Sequence, residues 1–164
     1  MIFKQNKHNS TLYSTLLYLS RNILFYKDIG LKDNFESRLY LMLIHFALIL
    51  NIFKTKKIIF PQDSYDSLFH SIENNLRELG LGDVNVNKKM KQINKILYDI
   101  LLKINISEKK FKVNKFLVLK YFNELNKNNN EKYMIFDEYL VKFYHFCFEQ
   151  SPKNMIKDAI NFKD

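Results

Sequence analysis

The 164-residue sequence is poor in the residues that bend, cross-link or interrupt a chain: one cysteine, two prolines and three glycines, with no tryptophan. A single cysteine, Cys147, excludes an intramolecular disulfide and any zinc ribbon or finger, and it fits a reducing compartment. So few glycines and prolines argue against a sandwich or barrel, which needs a turn roughly every 8–12 residues. Arginine is scarce as well: of 26 basic residues only Arg21, Arg38 and Arg77 are arginine. The longest apolar run, Leu39 to Phe53, is short of the roughly 20 residues of a membrane span. It contains His45 and Asn51, and it reads as a buried central helix. The first ten residues are polar and carry neither the apolar core of a signal peptide nor the arginines of a transit peptide. They are expected to form a polar tail.

What the chain does have is the balance of a soluble globule, 47% hydrophobic and 26% charged, which excludes intrinsic disorder. The formal net charge of +9 and a pI near 9.5 suggest an anionic partner: nucleic acid, a membrane surface or an acidic protein face. Lysine, asparagine and isoleucine are heavily used throughout, as in Asn128–Asn130. Much of the lysine excess therefore reads as a solvated surface shaped by composition.

Hydrophobic periodicity predicts one all-α domain of six or seven helices. Leu12, Leu16, Leu19, Ile23 and Tyr26 recur at spacings of three and four, predicting a helix from Thr11 to Asp28 that ends before Gly30. A second helix is expected from Phe35 to Phe53, capped by Asn34 and apolar nearly all round. A third, capped by Asp63 or Ser64, runs to Leu79 with Leu68, Ile72, Leu76 and Leu79 inward. A fourth is expected from Asn87 to Ile104, a fifth from Glu108 to Asn126 capped by Ser107, and a sixth from Lys132 to Glu149. Pro152 opens a short last helix.

No pattern supports catalysis or a bound cofactor. His8, His45, His70 and His145 lie in separate elements without metal-ligand spacing. There is no phosphate-binding glycine loop and no nucleophile elbow. His45 within an apolar helix reads as a core histidine that needs hydrogen-bond partners, and Cys147 as a small core residue. The most informative stretch is Leu76 to Ile93: a helix end, a turn carrying Gly80 and Gly82, and a new helix start with Lys88, Lys89 and Lys91. Asp83 can accept backbone N–H groups there or pair with Arg77. The stretch is either a helical corner with a solvated lysine face or a shaped basic surface beside a rigid turn.

This segment, Leu76-Arg77-Glu78-Leu79-Gly80-Leu81-Gly82-Asp83 followed by lysines, resembles the ubiquinol–cytochrome c chaperone family. Arg21, Phe25, Tyr26 and Gly30 match a second family motif, and Arg38 with His45 a third. The family glycine before the third motif's arginine is Ser37 here, its acidic residue is Tyr40, and the glycine after the tyrosine at position 98 is Asp99. The resemblance covers Leu12 to the C-terminus. It implies a helical domain over residues 11–164 that is a non-catalytic assembly factor, with newly made cytochrome b of respiratory complex III as its client. A small partner protein or a ribosome accompanies some members. A bacterial, cytoplasmic protein that touches the inner face of the membrane is the expectation, with no specific nucleic-acid partner. The candidate partner-binding residues are Arg21, Tyr26, Arg38, His45, Arg77, Gly80, Gly82, Asp83, Lys88 and Lys91. The alternative is a basic helical module that binds membrane, ribosome or nucleic acid. Steep salt dependence would mark nucleic-acid binding.

Overall fold

Asn34 places its side-chain oxygen 2.9 Å from the Ser37 amide and starts the central helix of the protein, α3 (Phe35–Thr55). In the computed structural model, which describes residues 10–107, 110–126 and 130–164, every side chain from Leu41 to Ile49 is buried. A helix apolar on all sides can satisfy that pattern only by being covered on all sides. The covering elements are α1 (Thr11–Ser20), α5 (Asp83–Lys103) and α7 (Asn130–Glu149). By length and composition α3 could cross a membrane, but 67% of its apolar window is buried inside the protein. The remaining helices are α2 (Ile23–Lys27), α4 (Gln62–Glu78), α6 (Lys115–Tyr121) and α8 (Pro152–Asp158), with 3₁₀ turns at Asn123–Asn126 and Ala159–Asn161. The expected all-α fold is thus present.

Three kinds of local feature differ from the sequence expectation: a break in the first helix, two shifted helix starts and a hairpin. The helix expected over Thr11–Asp28 is two helices. Ser20 donates back to the Leu17 carbonyl at 2.7 Å, and the Asn22 side chain accepts from the Leu24 amide at 3.0 Å, so Asn22 caps a new helix. The Tyr26 hydroxyl donates to the Ser20 carbonyl at 2.6 Å and braces the corner. Next, α5 starts at Asp83, four residues before Asn87, because Gly82 adopts extended backbone and its carbonyl accepts the first helical bond, from Val86. Likewise α4 starts at Gln62, after Pro61, ahead of the expected caps Asp63 and Ser64.

The third difference is larger. An antiparallel hairpin, β1 (Ile104–Ser107) and β2 (Lys110–Val113), stands where the fifth helix was expected to begin. Glu108 and Lys109 lie outside the described residues. The stretch reads apolar–polar with a period of two, and Ile104, Phe111 and Val113 are buried. Phe111 stacks on Tyr144 of α7 with ring centroids 4.5 Å apart. Helical structure resumes only at α6, where the Asn114 side chain accepts from the Phe116 amide at 2.9 Å. The expected loop at Lys127–Asn130 falls mostly on undescribed residues, and Asn130 is the first residue of α7.

Candidate functional site

The C-terminal end of α1, the N-terminal end of α3 and the C-terminal part of α4 meet around one cavity of about 200 Å³. Each helix contributes one periodic stripe: Tyr13, Leu17 and Arg21 from α1, Phe35, Arg38, Leu39 and Met42 from α3, and Ile72, Asn75 and Leu79 from α4 and its cap. The volume is comparable to the ~150 Å³ cavity that admits a benzene ring, so the space takes one branched or aromatic side chain. Its walls are mostly apolar. The polar residues that line it are Arg21, Arg38, Tyr13 and Asn75, whose amide donates to the Tyr13 hydroxyl at 2.7 Å.

Arg21 is exposed, and none of the ion pairs among the described residues involves it. It also borders a second cavity, on the far side of the α1–α2 corner, with Tyr139 and the C-terminal residues Phe162 to Asp164. Arg38 is half-buried and held by Asp33, with Nε 3.0 Å and Nη2 2.6 Å from the same carboxylate oxygen. That pairing, foremost, holds the guanidinium above its ordinary pKa. Tyr26 lies beside Arg38 and Asp33. Burial first, then the Asp33 charge, pushes its hydroxyl above the usual phenol range, so it stays a proton donor. Of the second group of candidates, Arg21 and Arg38 line the cavity, Tyr26 stands beside them without lining it, and His45 does not join them.

Leu79 links this cluster to the α4–α5 turn. It was expected in the core stripe of α4, but it is 60% exposed and stands at the cavity. The helix ends one residue earlier, and Leu79 caps it. Gly80 follows with φ of +92°, the Gly80 amide donates to the Arg77 carbonyl and the Leu81 amide to the Leu76 carbonyl. This is a Schellman closure, and it requires a left-handed residue at Gly80. Gly82 has an ordinary φ of −73°, and a Cβ placed there meets nothing within 4 Å. The backbone therefore gives no reason for a glycine at 82.

Arg77 bridges the turn, donating to Asp83 and, at 3.0 Å, to Glu73 one helical turn back. These pairs, Asp83 first, hold its guanidinium above the ordinary pKa, but they are exposed and screened by solvent. Lys88 and Lys91 are exposed on α5 and do not line the cavity. Lys89, between them, lies 3.6 Å from Glu36 and ties α5 to the first turn of α3.

His45 is placed elsewhere. It is fully buried, with Nδ1 2.6 Å from the Leu41 carbonyl and Nε2 2.8 Å from the Tyr139 hydroxyl. Nδ1–H donates to the carbonyl and Nε2 accepts from the tyrosine, which assigns a neutral ring. Burial lowers its pKa to about 4. Phe25, Tyr139 and Phe143 surround it edge-on. A partner at the cavity therefore does not touch His45, whose position is that of a core group. Cys147 is buried too, with its thiol pushed up to about 12 by burial. Among the described residues no three His, Cys, Asp or Glu side chains gather as a metal site.

The cavity walls Tyr13, Leu17, Phe35, Leu39 and Met42 were not singled out from the sequence. Their signal was the same three-and-four spacing that marks core residues, and spacing alone does not distinguish a filled space from an open one.

The family model described as ubiquinol-cytochrome C chaperone matches residues 27–112, just over half of the chain. It takes in Arg38, His45 and the whole α4–α5 turn, while Arg21 and Tyr26 precede it. No curated protein and no solved structure matches the chain. The motifs that shape the cavity end therefore fall largely inside the matched region, and the chain belongs to the ubiquinol–cytochrome c chaperone family.

Proposed function

We propose that this chaperone holds cytochrome b during the assembly of respiratory complex III, acting by binding and not by catalysis, in the cytoplasm of a bacterial host. The observation that carries the reading is the arginine-rimmed apolar cavity at the end where the family motifs meet. The apolar walls accept one client side chain that has not yet found its place in the complex. Arg21, which has no carboxylate partner among the described residues, binds a client carboxylate or backbone carbonyl next to that side chain. Arg38 keeps its planar group oriented through Asp33 and presents the rest of its donors to the client. Leu79 extends the apolar surface outward to the rigid turn.

Gene deletion in the host tests the reading. Cytochrome b and assembled complex III, measured by haem absorbance and native electrophoresis, are expected to fall together and to be restored by the wild-type gene. Normal levels of both in the deletion strain contradict the proposal. A strain carrying Arg21→Glu with Leu79→Asp is expected to resemble the deletion while the variant protein accumulates normally.

A further inference from the structure

The opposite end of α3 carries a second surface with different chemistry. After Thr55 the chain reads Lys56-Lys57-Ile58-Ile59-Phe60, preceded by Lys54. Lys56 is engaged: its Nζ donates to the carbonyls of Phe148 and Gln150 at 2.5 and 3.0 Å and so closes the C-terminal end of α7. Lys57 takes the left-handed conformation with φ of +57°, a position that favours glycine. The Ile58 amide returns to the Phe53 carbonyl, and the Phe60 ring packs against Phe53 and Phe46 at centroid distances of 5.0 and 5.6 Å. The loop is therefore pinned at both ends, and its apex projects. Ile59 is 93% exposed and Ile58 41%.

We infer that this α3–α4 loop docks the protein on an anionic lipid bilayer, with Ile59 inserting among the acyl chains and Lys54 and Lys57 meeting the headgroups. An exposed aliphatic apex on a loop anchored at both ends can enter a bilayer interface. Lys54 and Lys57 are exposed and form no ion pair among the described residues. Asp63 is the one acidic residue between positions 54 and 63, so the loop is locally cationic. Lysines act as point charges toward lipid phosphates and retain their hydration, as a headgroup layer requires. From Met42, the cavity residue of α3 nearest the loop, to Thr55 the helix runs about 20 Å at ~1.5 Å per residue. Docked this way, the protein turns that cavity away from the bilayer. The inference does not depend on what the cavity binds.

Flotation of the full chain with phosphatidylcholine vesicles, with and without phosphatidylglycerol, is the test. The wild type is expected to float with the anionic vesicles only, and added salt is expected to weaken the association. Ile59→Asp and the pair Lys54→Glu, Lys57→Glu are each expected to weaken it by about tenfold or more. Leu102→Asp, at an equally exposed apolar site on α5, is expected to leave it unchanged. All these positions are on the surface, and matching thermal melts confirm folded variants. Failure of the wild type to bind either vesicle overturns the inference, as does undiminished binding by the loop variants. If Ile59→Asp floats normally yet loses detergent-solubilised cytochrome b, the loop belongs to a protein interface and the lipid assignment is wrong.

Discussion

At the scale of single residues, the two glycines of the α4–α5 turn separate backbone need from surface role. Gly80→Ala places a Cβ on a left-handed residue and is expected to cost about 1 kcal/mol, read as a lower urea midpoint. Gly82→Ala meets no neighbour and no strained angle, so its unfolding free energy from urea melts is expected to stay within about 0.5 kcal/mol of wild type. If Gly82→Ala nevertheless weakens client capture, the position is one of close backbone approach. His45 gives a pH prediction. Its folded pKa, lowered to about 4, lies below that of the unfolded chain, so the unfolded state takes up the proton first as pH falls. Stability is expected to be intact above pH 6.5 and to decline toward pH 4 by up to about 3 kcal/mol. Tyr139→Phe leaves Nε2 buried without its donor and is expected to cost about 1–3 kcal/mol, measured by urea unfolding at neutral pH. The sequence offered His45 both as a core group needing partners and as a partner-binding residue, and the structure buries it. The sequence could not name Tyr139, 94 positions away, because that contact exists only after α3 and α7 pack.

At the scale of elements, the sequence conveyed long helices well and interruptions poorly. The apolar stripe of α3 and the Gly80 stop were legible because each depends on residues within a few positions. The break at Arg21–Asn22 was hidden because Leu19, Ile23 and Tyr26 keep helical spacing across it. Only the competing side-chain bonds of Ser20 and Asn22 reveal it. The hairpin was hidden for the opposite reason: each strand is four residues long, too short for its period of two to outweigh the helical context. Asp99 shows how a departure from the family pattern becomes structural. Its carboxylate accepts from Lys103 at 2.6 Å, Lys120 at 2.8 Å and the Tyr121 hydroxyl at 2.5 Å, joining α5 to α6 just past the hairpin. These bonds, Lys103 first, hold its pKa well below the carboxylate range. A depressed pKa stabilises the fold above pH ~4 and loses that contribution as pH falls further. Asp99→Asn is expected to cost about 1–2 kcal/mol at neutral pH, with a shallower acid limb of the urea-stability profile than wild type.

At the scale of the whole molecule, the bulk charge of +9 resolves into distinct roles. Lys56 closes a helix end, Lys89 ties two helices, and Lys103 and Lys120 converge on Asp99. Arg77 braces a turn, and Arg38 is oriented by Asp33. Among the described residues Arg21 is the one arginine without a carboxylate partner, and it lines the cavity. Arg21 and Arg38, which both stand in sequence motifs, line that cavity, while Lys56 stands at the other end of α3. The open space of the cavity was not legible, since a helix stripe looks the same whether its neighbour is another helix or a client. Co-purification most directly measures the proposed capture of cytochrome b in this space. Tagged wild-type protein and the Arg21→Glu, Leu79→Asp double variant are expressed in the deletion strain, and bound cytochrome b is quantified from detergent extracts. Both substitutions are on the surface, so the melting temperature is expected to match wild type. The account predicts at least about a tenfold drop in captured cytochrome b, equivalent to about 1.4 kcal/mol of binding. Equal capture by the two proteins would contradict it.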